Sequence, residues 1–187
     1  MRLFLAINFP DSVREAVAEA CAPLREAAPG VRWVKPELLH LTVKFFGDQP
    51  DETVPALRDA IAATAARHRP MELVLEGVGA FPNLRRPRVV WTGVEPSARL
   101  ELLFHDTESA CDRLGFPLEG KVFRPHVTIG RVRPGTPPDA LRPLSTAAKE
   151  VRLRESVYVE TLDLMASDLS GGGPRYVLLH AAPLRDD

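Results

Sequence analysis

His40-Leu41-Thr42-Val43-Lys44-Phe45-Phe46-Gly47 is the stretch on which the reading of the chain turns, because its first four residues return as His126-Val127-Thr128-Ile129. In both copies apolar residues alternate with polar ones at period two, the pattern of a half-buried β-strand. In an ideal strand His40, Thr42 and Lys44 share one face, and Leu41, Val43 and Phe45 share the other. His126 and Thr128 likewise share a face, while Val127 and Ile129 point into a core. An imidazole and a hydroxyl are thereby displayed side by side, twice. One such strand alone is equally well explained by a core or edge histidine beside a β-favouring threonine. Two copies among five histidines point to a site, the more so with Phe45-Phe46-Gly47 closing one strand and Phe123-Arg124-Pro125 opening the other.

A chain of 187 residues is long enough for one substantial core or two small packed lobes. Its 24 basic and 25 acidic residues leave a net charge of −1, so no global field draws it to nucleic acid and an RNA partner has to use a local patch. Cys21 and Cys111 fall on apolar faces of predicted helices and read as buried thiols, neither a disulfide nor a metal pair. No secretory leader pattern opens the chain, and no apolar segment is long enough to span a bilayer. A cytoplasmic protein with no membrane and no obligate protein partner is expected.

Residues 2–9 read as a buried central strand ended by Pro10. Asp11 or Ser12 caps a helix, Glu15 completing a capping box with Ser12, and its apolar stripe of Val13, Val17, Ala20, Cys21 and Leu24 is kinked or ended by Pro23. Residues 31–34 make a short strand, with Trp33 assigned to packing. Helices are predicted over 52–67 and 97–114, the second capped by Ser97. His68 is explained by the C-terminal end of the first, and His105 faces solvent on the second. Strands over 71–80 and 88–94 are joined by a loop carrying Arg85 and Arg86, which are either solvated or in contact with backbone phosphates. The second motif strand covers 124–132. A short helix over 138–147, one or two strands within 149–165, a turn at 170–174 and a closing strand over 175–180 complete the chain, with His180 at that strand's end. This order suggests an α+β fold with antiparallel pairing.

The segments HLTVKFFG (40–47) and RPHVTIGR (124–131), with the opening MRLFLAI and GVGAFPNLRRPRVVWTGV (77–94), resemble the two-histidine phosphoesterase superfamily. Within it they are most similar to the bacterial RNA 2',3'-cyclic phosphodiesterases, also called 2'-5' RNA ligases. The resemblance covers nearly the whole chain and implies one bilobal domain over 1–187. Two pseudo-symmetric lobes of mainly antiparallel sheet with outer helices would flank a central cleft, the two histidines facing each other across it. The resemblance also implies His40 as general acid and His126 as general base on an RNA or nucleotide ending in a 2',3'-cyclic phosphate, although the residues alone do not distinguish the two. It further implies a substrate contact by Arg131, whose ideal strand parity is opposite to that of His126, so that a bulge or the strand's end has to redirect it.

The chemistry suits these residue types. Imidazole titrates near neutrality, so one ring can be neutral while the other is protonated. Opening a cyclic phosphodiester needs that division: a base takes the proton of the attacking water and an acid protonates the departing ribose oxygen. The hydroxyls of Thr42 and Thr128 can donate to the phosphate oxygens on which charge develops. Lys44, sharing parity with His40, is expected to border the cleft as a second substrate-binding cation, and Gly130 at the matching position leaves room for close approach. No cofactor and no metal is expected, since each histidine is partnered by threonine and by no second ligand. No Lys-x-Asp-Gly motif or phosphate-binding loop is present, which leaves 2'-5' joining as a minor, ATP-independent reverse reaction. The rival readings are a non-catalytic RNA- or nucleotide-binding module, which has no need of a paired acid and base, and a phosphoesterase acting on a small cyclic nucleotide.

Overall fold

In chain order the computed structural model, which describes residues 1–168 and 173–185, runs β1 (Arg2–Asn8), α1 (Asp11–Ala20), α2 (Ala22–Ala27), β2 (Val31–Trp33), β3 (His40–Asp48) and α3 (Thr53–Ala65). It continues with β4 (Met71–Phe81), β5 (Val89–Val94), α4 (Ala98–Asp112), β6 (His126–Val132), α5 (Arg142–Glu150), β7 (Arg154–Val159), β8 (Thr161–Asp168) and β9 (Arg175–Pro183). Eight strands follow one antiparallel path, β7-β4-β5-β6-β3-β1-β8-β9, and β2 adds to β6. The path has two halves of four strands, joined where β3 pairs with β6 at Leu41 and Val127 alone. These are the middle residues of the two repeated motifs. Rotation by a half-turn about that rung exchanges β3 with β6, β1 with β5, β8 with β4 and β9 with β7. The expected pair of pseudo-symmetric antiparallel lobes is therefore built around the motifs themselves.

Helices cover one face of the sheet. α3 packs on α4 and against β8 and β9, whereas α2 packs on α5, α5 on β4 and α1 on β7. Leu3, Leu5, Leu41, Leu57, Leu103 and Val127 are fully buried between sheet and helices, each contributing about 1.5–3 kcal/mol of transfer free energy. The opposite face is open. It carries a smaller apolar cluster of Phe4, Ala6 and Met165, with Tyr176 packed against it.

Local signals held unevenly. Ser97 Oγ accepts from the Leu100 N–H at 3.3 Å, as its capping position predicts. The Ser12–Glu15 box does not form: α1 starts at Asp11 with Pro10 as its N-cap, so Ser12 already lies inside the first turn. Pro23 does end α1, by standing at the start of α2 where its missing N–H costs nothing. The region 149–165 resolves into two strands, and His180 lies within β9, not at its end. The predicted turn at 170–174 falls largely outside the described residues. Among those described, no helix is long and apolar enough to cross a membrane.

A bulge interrupts each motif strand at the same place. Ala6 pairs with Thr42 and Leu5 with Lys44, so Val43 has no partner on β1. Trp91 pairs with Thr128 and Val90 with Gly130, so Ile129 has none on β5. One extra residue sends every later side chain to the other face. Phe45 and Arg131, each five residues past its histidine, therefore come to the open face, while Lys44 and Gly130 turn toward the helices. Phe45, expected on the face of Leu41 and Val43, is 55% exposed, and Lys44, expected on the cleft face, is 3% exposed.

Candidate active site

The open face and the loop over 115–125 enclose a cavity of about 780 Å³ lined by His40, Thr42, His126, Thr128 and Arg131. Antiparallel pairing at Leu41 and Val127 sets His40 beside Thr128 and Thr42 beside His126. The imidazoles thus take diagonal corners of a four-residue patch.

Each ring is tethered in the same way. His40 Nδ1 lies 2.8 Å from the Leu38 carbonyl oxygen, and His126 Nδ1 lies 2.7 Å from that of Arg124. A carbonyl only accepts, so Nδ1–H donates in both cases and Nε2 is left for chemistry, an assignment made from the partner atoms. His40 Nε2 stands 3.1 Å from Thr42 Oγ1. Aromatic rings flank both imidazoles: Phe4 and Tyr176 at 5.1 and 5.2 Å from His40, Phe81 and Trp91 at 4.9 and 6.3 Å from His126. Burial holds the His40 pKa below its ordinary value; the Leu38 carbonyl opposes this, and the charges of Arg14 and Arg131 add to it. Burial likewise raises the Tyr176 hydroxyl above its usual range.

Lys44 contributes to the cavity wall in a manner that strand parity did not foresee. Its Nζ donates to Glu108 Oε1 at 2.6 Å and to the Pro117 carbonyl at 2.9 Å, and Glu108 Oε2 accepts the Glu119 N–H. With Glu108 only 5% exposed, this is a buried ion pair fastened to a loop. That loop supplies the Arg124 carbonyl that holds His126, and its Phe123 stacks on Phe104 of α4 at 4.0 Å. The expected presentation of the Lys44 charge to substrate is corrected: the bulge at Val43 turns the ammonium to α4. Gly130 is corrected too. A Cβ there would lie 2.6 Å from Val31 Cγ1 and 2.8 Å from Trp33 Cε3, so β2 fills the space expected to admit a ligand. Arg131 reaches the cavity because of the bulge at Ile129.

Several residues of the site had no signal in the motifs. Asn8 and Phe4 come from β1, where Asn8 pairs across from His40 and donates through Nδ2 to Asp163 Oδ2 at 2.7 Å, while Phe81 and Tyr176 arrive from β4 and β9. Only spatial assembly gathers them. Among the described residues no three His, Cys, Asp or Glu side chains group as a metal-ligand set. Cys21 and Cys111 are buried with free thiols, each pushed up to about 11 by burial.

A bilobal antiparallel sheet that carries a His-x-Thr strand in each lobe defines a two-histidine phosphoesterase. The LigT-like phosphoesterase family model matches residues 7–91 and 93–176, one copy of the motif in each, and the chain belongs to that family. It is 33% identical over 176 residues to the RNA 2',3'-cyclic phosphodiesterase of Methanothermobacter thermautotrophicus, covering 94% of this chain and 95% of that protein. The protein of the same name from Geobacillus stearothermophilus is 35% identical over 161 residues, or 84% of this chain. The match takes in about half, 51%, of that relative's length. Among solved structures, E. coli LigT complexed with 3'-AMP superposes with a TM-score of 0.75 at 28% identity, over 99% of this chain and 98% of that one. The chain is accordingly a hydrolase of the phosphoesterase type.

Proposed function

We propose that this chain opens the 2',3'-cyclic phosphate at the end of an RNA or a nucleotide to the 2'-phosphate, with His40 and His126 as the acid–base pair. The observation that carries this reading is the matched tethering of the two imidazoles. Both commit Nδ1–H to the carbonyl of the residue two positions back, which leaves Nε2 free of the backbone, and both rings line one cavity. The names of the relatives and the 3'-AMP bound to E. coli LigT support a nucleotide-sized ligand, and about 780 Å³ suits one.

His126 Nε2 takes a proton from water as the oxygen attacks phosphorus, the bond to the 3'-oxygen breaks, and His40 Nε2–H protonates that oxygen. Thr42 and Thr128 donate to the non-bridging oxygens, on which negative charge grows. Arg131 pairs with the phosphate, and Phe45 and Tyr176, both packed on the buried Phe4, offer the base an aromatic wall. The burial that keeps His40 neutral in the empty site is offset when an anion binds against it, since an adjacent negative charge favours the imidazolium. His40 thus gains its proton along with its substrate. Joining to a 5'-hydroxyl is the same step with an alcohol in place of water, and hydrolysis dominates in water.

The test is release of 2'-phosphate from a short RNA ending in a 2',3'-cyclic phosphate, with EDTA present, by the native protein, His40→Ala and His126→Ala. Each variant is expected to lose about 10²- to 10⁴-fold. Binding without cleavage by the native protein, or undiminished cleavage by the variants, overturns the reading.

A further inference from the structure

Just past Thr128 the register lines up one residue from each of four strands: Phe81 with Val89, Val89 with Arg131, and Arg131 with Arg32. Directly paired residues share a face, so Arg32 lies on the open face one strand beyond Arg131, which lines the cavity. Like charges placed directly opposite in an antiparallel ladder are destabilising. Neither guanidinium has an acidic partner among the described residues, and Arg133, two residues on, has none either. The hairpin loop between β4 and β5 opens next to the same row and holds Arg85 and Arg86. Their backbone N–H groups both donate to Asn83 Oδ1, at 3.0 and 3.1 Å, which fixes the turn that presents them. All five arginines are exposed.

A chain of net charge −1 thus gathers, at one end of its cleft, five arginines that have no acidic partner among the described residues, two of them in direct opposition. One phosphate in the cavity engages Arg131 and leaves the other four unanswered. A polymer of phosphates leaving by this end answers them all, and the cyclic phosphate terminates the RNA, so every further phosphate lies on its 5' side. We infer that this end of the second lobe is a track for the backbone of single-stranded RNA 5' to the terminal nucleotide, which makes an oligonucleotide a better substrate than a mononucleotide. The inference rests on the hydrolytic reading above for the terminal phosphate alone.

The experiment compares 2',3'-cyclic AMP with a hexanucleotide ending in a cyclic phosphate, using the native protein, Arg32→Ala, Arg133→Ala and Arg85→Ala/Arg86→Ala. Each variant is expected to lose about tenfold in kcat/KM on the hexanucleotide, the scale of a lost charge-assisted hydrogen bond, and under about twofold on the mononucleotide. The salt dependence of the hexanucleotide reaction should shallow by about 0.7 in log–log slope for each arginine removed. Equal losses on both substrates, or none on either, overturn the track. So does a Tm that falls in Arg32→Ala, because removing a like-charge neighbour should leave stability unchanged or improved. Fluorescence anisotropy with a labelled hexanucleotide ending in a 3'-phosphate separates the two readings. Binding that weakens in Arg32→Ala and Arg133→Ala supports the track even if the native protein opens no cyclic phosphate. Binding that is indifferent to both overturns it even if hydrolysis stands.

Discussion

Past the bulge at Val43, the open face of the first lobe runs Phe45, Phe4, Met165 and Leu178 across β3, β1, β8 and β9. Past the bulge at Ile129, the second lobe runs Arg131, Val89 and Phe81 across β6, β5 and β4, with Arg32 added from β2. The first row is apolar throughout, yet Phe45 and Leu178 remain 55% and 53% exposed; the second begins with two cations. The same backbone irregularity, at the same distance from the same motif, delivers a phenyl ring on one side and a guanidinium on the other. Repetition of a backbone therefore does not repeat a surface. On the proposed function the difference is a division of labour, with bases stacking on the first lobe and phosphates pairing on the second.

The largest expected effect breaks the comparison one residue earlier, where the first lobe has Lys44 and the second Gly130. Lys44→Met strands Glu108 in the interior and is expected to cost about 3–5 kcal/mol in urea unfolding. Lys44→Met/Glu108→Leu should regain most of that stability while kcat stays low, because the loop that holds His126 is no longer fastened. A single variant as stable as the native protein would show that the pair is no strut. Next come the hydroxyls: Thr42→Val and Thr128→Val should each reduce kcat about 10²- to 10³-fold. Losses within tenfold of one another mean that both lobes hold the developing charge; a wider gap assigns it to one. Gly130→Ala, whose Cβ meets Val31 and Trp33, should cost about 1–3 kcal/mol by overpacking, read as a shift in the denaturant midpoint.

The smallest effect sharpens the electrostatics. In an NMR titration His40 should change charge below 6.5, its ordinary value, because burial opposes the imidazolium. Arg131→Met removes a cation that adds to this, so the midpoint should rise. With His40 as acid, kcat/KM falls as pH rises through that depressed value, while the matching limb of kcat lies higher, the bound phosphate having restored the proton. A His40 midpoint above 6.5 would sink the sequence of events proposed for proton uptake.

Much of this was legible in the chain. The two motif strands, their inward Leu41 and Val127, the Ser97 cap and the packing role of Trp33 each follow from local pattern, and the structure agrees. The bulge at Val43 was not legible, and the one at Ile129 was anticipated, as a bulge or the strand's end, only through the substrate contact that the resemblance implies for Arg131. Val43 and Ile129 look like ordinary strand residues, and what makes them bulge is the register imposed by β1 and β5, a property of the assembled sheet. That one omission exchanged Phe45 with Lys44. It also hid the partner of Lys44, since Glu108 lies 64 residues away on a helix where it reads as solvated. The aromatic neighbours of the two histidines were out of reach for the same reason, being drawn from strands far apart in the chain.

The rung between Leu41 and Val127 has one more consequence. Two identical subunits meeting across it would form an isologous pair, obliged to show the same residue at every matched position. Such a dimer would carry two phenyl rings or two guanidiniums, and two imidazoles of equal basicity, facing its substrate. A substrate with a 2'-oxygen on one side and a 3'-oxygen on the other has no such symmetry. Writing both copies into one polypeptide keeps the architecture of a dimer while releasing each position from its twin, so that the burial which makes His40 reluctant to charge need not be imposed on its counterpart.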